Sequence, residues 1–139
     1  MVRQGLRSVL EAYSDVSVVG EATNGKEAVA IAAALRPSIV LMDINMPNMN
    51  GIDATAEIKQ KWPNIPVIGL SVNADGDNQA AMISAGAAFL LTKEAAVDEL
   101  YKAIQEVLKI KWISAGHSGS FSALRVNGGR NAATILSFR

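Results

Sequence analysis

Short apolar runs alternate with helical stripes along this chain, and each run stops at a polar residue or a glycine. VSVVG (16–20) is valine-rich and ends in Gly20; SIVLM (38–42) is apolar after its serine and stops at Asp43. PVIGLS (66–71) ends at Ser71, and AFLL (88–91) is followed by Thr92 and Lys93. Between them, Ala28, Ile31, Ala32 and Leu35 recur at helical spacing. So do Val97, Leu100, Tyr101, Ile104, Val107 and Leu108. Further helices are predicted from the turn at Pro47, Asn48 and Gly51 through Trp62, and from Asp75 to Ala85. Val2, Leu6, Val9 and Leu10 predict one more, with no strand ahead of it. Asn24 followed by Glu27 is a helix-start signal, and Pro37, Pro63 and Gly86 are stops. The expected order is therefore α-β-α-β-α-β-α-β-α. Such alternation demands a parallel sheet with right-handed crossovers, and runs apolar throughout suit strands covered on both faces.

In a sheet of this kind the ligand site lies beyond the carboxyl ends of the strands. Asp43, Ser71 and Lys93 each stand at or just past such an end, so three strands are expected to bring them to one rim. A carboxylate can attack phosphorus and form an acyl phosphate. A hydroxyl and an ammonium can then hold the phosphoryl oxygens as charge develops on them. Taken singly, each residue has a plainer reading. An Asp after a strand is commonly a turn or cap, a Ser likewise, and a Lys is commonly a solvated charge. The joint arrangement, one residue per strand end, favours the chemical reading.

LMDINMPNMNGIDA (41–54), GLSVNAD (69–75) and AGAAFLLTKEA (85–95) resemble, in this order and spacing, three linked motifs of bacterial response-regulator receivers. The resemblance covers roughly residues 2 to 110 and is nearest in wording to receivers of the LuxR/NarL type. It implies a flavodoxin-like (CheY-like) α/β fold with helices on both faces of the sheet. It implies that Asp43 accepts a phosphoryl group from a sensor histidine kinase. Ser71 and Lys93 would bind that group and relay its presence to the surface. Mg²⁺ would be held in part by Asp43 and the backbone carbonyl of Asn45. The cytoplasm is the implied location, and a receiver homodimer is one implied assembly.

The sequence departs from the family pattern in four ways. Members begin with a strand followed by an acidic pair, whereas Met1 here falls where the first helix is under way. The other metal ligands are thus missing, and the missing strand is an interior one in the family order 2-1-3-4-5. The position three before Lys93 is Leu90, with the aromatic Phe89 beside it. No helix-turn-helix follows, so direct DNA binding is not expected. Residues 1–110 are accordingly read as a receiver domain lacking its first strand, and 111–139, rich in Gly, Ser, Asn and Ala, as a tail of uncertain order. FSALRV (121–126) or ATILSF (133–138) could supply the lost strand, from the same chain or a swapped partner.

Two other functions fit parts of this pattern. A degenerate receiver would bind partners without being phosphorylated. A haloacid-dehalogenase-like phosphohydrolase would need a second Asp two residues after the nucleophile, and that residue is Asn45. Composition narrows the field further. A length of 139 residues suits one domain, and zero formal net charge gives no pull toward nucleic acid or anionic membrane. The absence of cysteine excludes disulfides, thiol catalysis and cysteine-ligated zinc. No apolar run is long enough to span a bilayer. His117, Trp62, Trp112 and the methionines around Asp43 are read as solvated or packing residues.

Overall fold

The computed structural model describes residues 17–22, 24–44, 51–71, 76–114, 116 and 134–138. Each of the apolar runs becomes a strand: β1 (Ser17–Ala22), β2 (Ile39–Asp43), β3 (Val67–Ser71) and β4 (Phe89–Thr92). The helices between and after them are α1 (Gly25–Leu35), α2 (Gly51–Lys61), α3 (Gly76–Ala85) and α4 (Lys93–Ser114). A fifth strand, β5 (Thr134–Phe138), follows. All pairings are parallel, and the strand order is β1-β5-β2-β3-β4.

Side chains of a strand alternate between its faces, and here the two faces bury different partners. Val40 and Met42 of β2 and Val67 of β3 pack with Ala28, Val29 and Ala32 of α1, Ala54 and Ile58 of α2, and Met82 of α3. The intervening Ile39, Leu41, Ile68 and Leu70 pack against Ala96, Leu100, Ile104, Val107 and Leu108 of α4. β2 and β3 are buried at every position, which is why their sequences read as apolar runs rather than as alternating strands. At about 1.5–3 kcal/mol for each large apolar side chain, these two layers dominate the fold's stability.

Local signals set the helix ends. Asn24 caps α1 by accepting from the Glu27 backbone N–H at 2.9 Å. Arg36 leaves the helix in the left-handed conformation, its N–H donating to Ala32 O, and Pro37 after it cannot continue the helix. Its guanidinium lies 5.1 Å from the ring centre of half-buried Trp62, within cation–π range.

Two elements lie within residues 111–139. The last helix runs to Ser114, and Thr134–Phe138 is an interior strand. It lies between β1 and β2, with Ile135 beside Val18 and Ile39, and Leu136 beside Gly20 and Val40. The physical reason is hydrogen bonding: without a strand there, β1 and β2 would each present an unpaired edge inside the sheet. Of the two segments considered for the lost strand, ATILSF is the one so placed. FSALRV and the expected helix at residues 2–10 lie outside the described residues.

Candidate functional site

The carboxyl ends of β2, β3 and β4 form one rim. Asp43 is the last residue of β2 and Ser71 the last of β3; both are 2% exposed. Asp43 pairs with Leu70, so Ser71 stands one step beyond it on the adjacent strand. Ser71 in turn pairs with Thr92 at the end of β4, and Lys93 follows as the first residue of α4. The backbones of the three residues singled out in the sequence therefore come to consecutive strand ends. Asn45 lies outside the described residues.

Short-range bonds fix this rim. The Ile44 N–H donates to Leu70 O at 3.0 Å, tying the residue after Asp43 to the residue before Ser71. The Gly51 N–H donates to Ile44 O at 2.9 Å, so α2 starts against the same turn. A Cβ at Gly51 would collide with the Asp43 carbonyl oxygen, so only glycine allows this approach. On the other side, the Thr92 hydroxyl accepts from the Ala95 N–H at 3.1 Å and caps α4 at Lys93. Thr92 and Gly51 were not singled out as site residues from sequence. Thr92 could have been, as a hydroxyl just ahead of a helix start. Gly51 stands in the motif 41–54, but its approach to the Asp43 carbonyl could not be read there, because the neighbour is backbone eight residues earlier.

The rim thus brings a buried Asp and a buried Ser to neighbouring strand ends. The resemblance implies Mg²⁺, a hard cation that takes about six oxygen ligands, several of them usually water. Among the described residues no group of three His, Cys, Asp or Glu is placed to hold a metal ion. The strand nearest Asp43 on its other side ends in Ser137 and Phe138 rather than acids. Among the same residues no helix is long and apolar enough to cross a membrane.

The sequence and the fold were compared with known proteins. The family model for the response regulator receiver domain matches residues 1–105. The transcriptional regulatory protein LiaR of Bacillus subtilis is 39% identical over 109 residues, which are 78% of this chain and 52% of that protein. The response regulator UvrY of Escherichia coli is 38% identical over 107 residues, 77% of this chain and 49% of that one. The chain thus spans about half the length of the curated relatives it matches. Among solved structures, the receiver domain of the NarL regulator of Mycobacterium tuberculosis superposes with a TM-score of 0.73 at 29% identity, covering 78% of this chain and 87% of that one. The response regulator domain of Thermotoga maritima CheB gives 0.71 at 31% identity, covering 77% and 87%. With a family match over three quarters of its length and a fold to agree with it, this chain belongs to the response regulator receiver domains of two-component systems.

Proposed function

We propose that the domain accepts a phosphoryl group on Asp43 from a phosphohistidine of a sensor kinase. One Asp43 carboxylate oxygen attacks phosphorus, the P–N bond breaks, and the imidazole nitrogen leaves with the electron pair. The Ser71 hydroxyl donates to a phosphoryl oxygen, and the Lys93 ammonium balances the charge of the acyl phosphate. What supports this reading is the single geometric fact that the backbones of Asp43, Ser71 and Lys93 stand at neighbouring strand ends on one rim. The test is incubation of the purified chain with a small acyl-phosphate donor and Mg²⁺. Label that appears in the wild type and disappears in Asp43→Asn is the expected result. Label that survives in Asp43→Asn would reject Asp43 as acceptor.

A second reading is favoured by one observation, the lack of a metal-holding acidic group among the described residues. On that reading the fold serves as a phosphorylation-independent interaction module. A kinase or downstream partner would then bind wild type and Asp43→Ala equally, and a phosphodonor would leave both affinities unchanged.

A further inference from the structure

α1 and α2 pack side by side over one face of the sheet, where Ala28, Val29 and Ala32 share a core cluster with Ala54 and Ile58. Outward of that contact the two helices leave an open groove of about 380 Å³. Its apolar part is Val29, Ala30 and Ala33 of α1 with the half-buried Trp62 just past α2. Lys26, Glu57 and Lys61 complete the lining. Positions 26, 29, 30 and 33 have the spacing of one helix face, so the groove follows α1 for about 10 Å. Ala30 and Ala33 are exposed, and their short side chains leave room for another chain's side chain between the helices.

Charge is unevenly matched around this groove. Glu57 is the one carboxylate in its lining, and Lys61 holds it at 2.8 Å. Lys26 has no carboxylate partner among the described residues. Arg36, just past the end of α1, donates to Ala33 O at 3.3 Å and lies over Trp62, likewise with no carboxylate partner among the described residues. A cation without a counter-charge thus stands near each end, the two about 15 Å apart along α1. The chain as a whole has zero formal net charge, so this excess is local.

We propose that the groove is a docking site for an acidic helical segment of a partner protein, anchored by one apolar side chain. The anchor seats over Val29, Ala30 and Ala33 against Trp62, and carboxylates on either side of it meet Lys26 and Arg36. On a helix, carboxylates about eleven residues apart share one face and span about 16 Å, which matches the separation of the two cations. A small planar anion is a poorer match, because it covers Trp62 without reaching both cations. Neither Asp43, Ser71 nor Lys93 lines the groove, so the proposal does not rest on phosphoryl transfer.

The test titrates the full-length chain into a fluorescein-labelled helical peptide, read by anisotropy. The peptide carries a glutamate at each end of one face and a leucine at its middle. Saturable binding that weakens as salt rises is expected. Lys26→Glu should weaken it about fivefold or more. Of two further peptides, each with one glutamate changed to lysine, one should recover that loss in Lys26→Glu while binding the wild type poorly. Ala30→Glu, at an exposed helix position, leaves the core untouched and should abolish binding. Lys102→Glu, exposed on α4 in the other layer, should leave it unchanged. Equal loss in Lys26→Glu and Lys102→Glu would reveal diffuse charge attraction and overturn the proposal, as would the absence of saturable binding. Naphthoate serves as a small-anion probe. Naphthoate bound in the groove that the peptide fails to displace would assign the groove to a small ligand and overturn the proposal as well.

Discussion

Gly51 sits directly against the carbonyl of Asp43, so close that a single added carbon would overlap the oxygen. The contact is with backbone, which cannot swing aside as a side-chain tip can. A Gly51→Ala chain must therefore move either the start of α2 or the end of β2. Overpacking of this kind typically costs about 1–3 kcal/mol, and a rigid backbone contact belongs at the upper end. Urea unfolding should read that loss. Phosphoryl labelling should fall well beyond what the stability change explains, because the shift displaces Asp43 itself. A variant of wild-type stability and labelling would show that the two backbones are not in contact.

Gly69 in β3 makes a contrasting case. A Cβ there would lie 2.6 Å from Met82 Cε and 2.8 Å from Leu90 Cδ1, both ends of side chains. Gly69→Ala is expected to cost about 1–3 kcal/mol. Met82→Ala alone, at a fully buried site, should cost about 2–5 kcal/mol through its cavity. In the double variant the new methyl enters the space the methionine leaves. The two losses should then fall short of additive by about 0.5–3 kcal/mol in a double-mutant cycle. Strict additivity would mean that Met82 does not pack over Gly69.

Lys59 links stability to alkaline pH. Its ammonium donates to Pro63 O at 2.7 Å and Ile65 O at 3.1 Å, just beyond the end of α2, and its stem packs against Gly86. Burial pushes its pKa below the ordinary 10.5. In the window between the folded value and 10.5 the unfolded chain binds more protons than the folded one. Stability from this residue therefore rises with pH across that window, and the penalty for a buried charge is fully present below it. Chemical denaturation of the wild type and Lys59→Met as pH increases toward 10.5 should show the difference moving in favour of the wild type. A difference that moves the other way would mean the two carbonyl bonds outweigh burial.

Much of this architecture was legible because the relevant physics is local. Ile39 to Met42 read as a covered strand because both faces of β2 are buried. Asn24 and Glu27 announced a helix start that the structure forms by one cap bond. The start of α4 was less legible. The apolar stripe begins at Val97, but the helix begins at Lys93, because the cap is the Thr92 hydroxyl rather than a hydrophobic position. β5 was the hardest element to assign. ATILSF is five apolar or small residues and a serine, which suits many environments, and what makes it a strand is the slot between β1 and β2. That slot is built by residues about a hundred positions away, and no local pattern encodes such a partner. The same holds for Gly69, whose need for glycine comes from Met82 and Leu90 overhead.

The cooperative role of β5 can be isolated with one substitution. Leu136 pairs with Gly20 on one side and Val40 on the other. Proline there has no N–H for the ladder, and its ring is not tolerated in a central parallel strand. The loss should exceed the ~3 kcal/mol typical of an interior proline, because both neighbouring edges are opened at once. Leu136→Pro should therefore unfold at much lower urea and with a shallower transition, since part of the sheet no longer melts with the rest. The α4 layer is less exposed to this change: its contacts are with Ile39, Leu41, Ile68 and Leu70 of β2 and β3. In a Trp112→Phe background, the fluorescence of Trp62, which packs on the opposite layer, should therefore change at lower urea than the part of the helical circular dichroism that α4 contributes. Coincident transitions at the wild-type midpoint would mean that the sheet is stable without Thr134–Phe138. The interior place of β5 would then carry none of the fold's cooperativity.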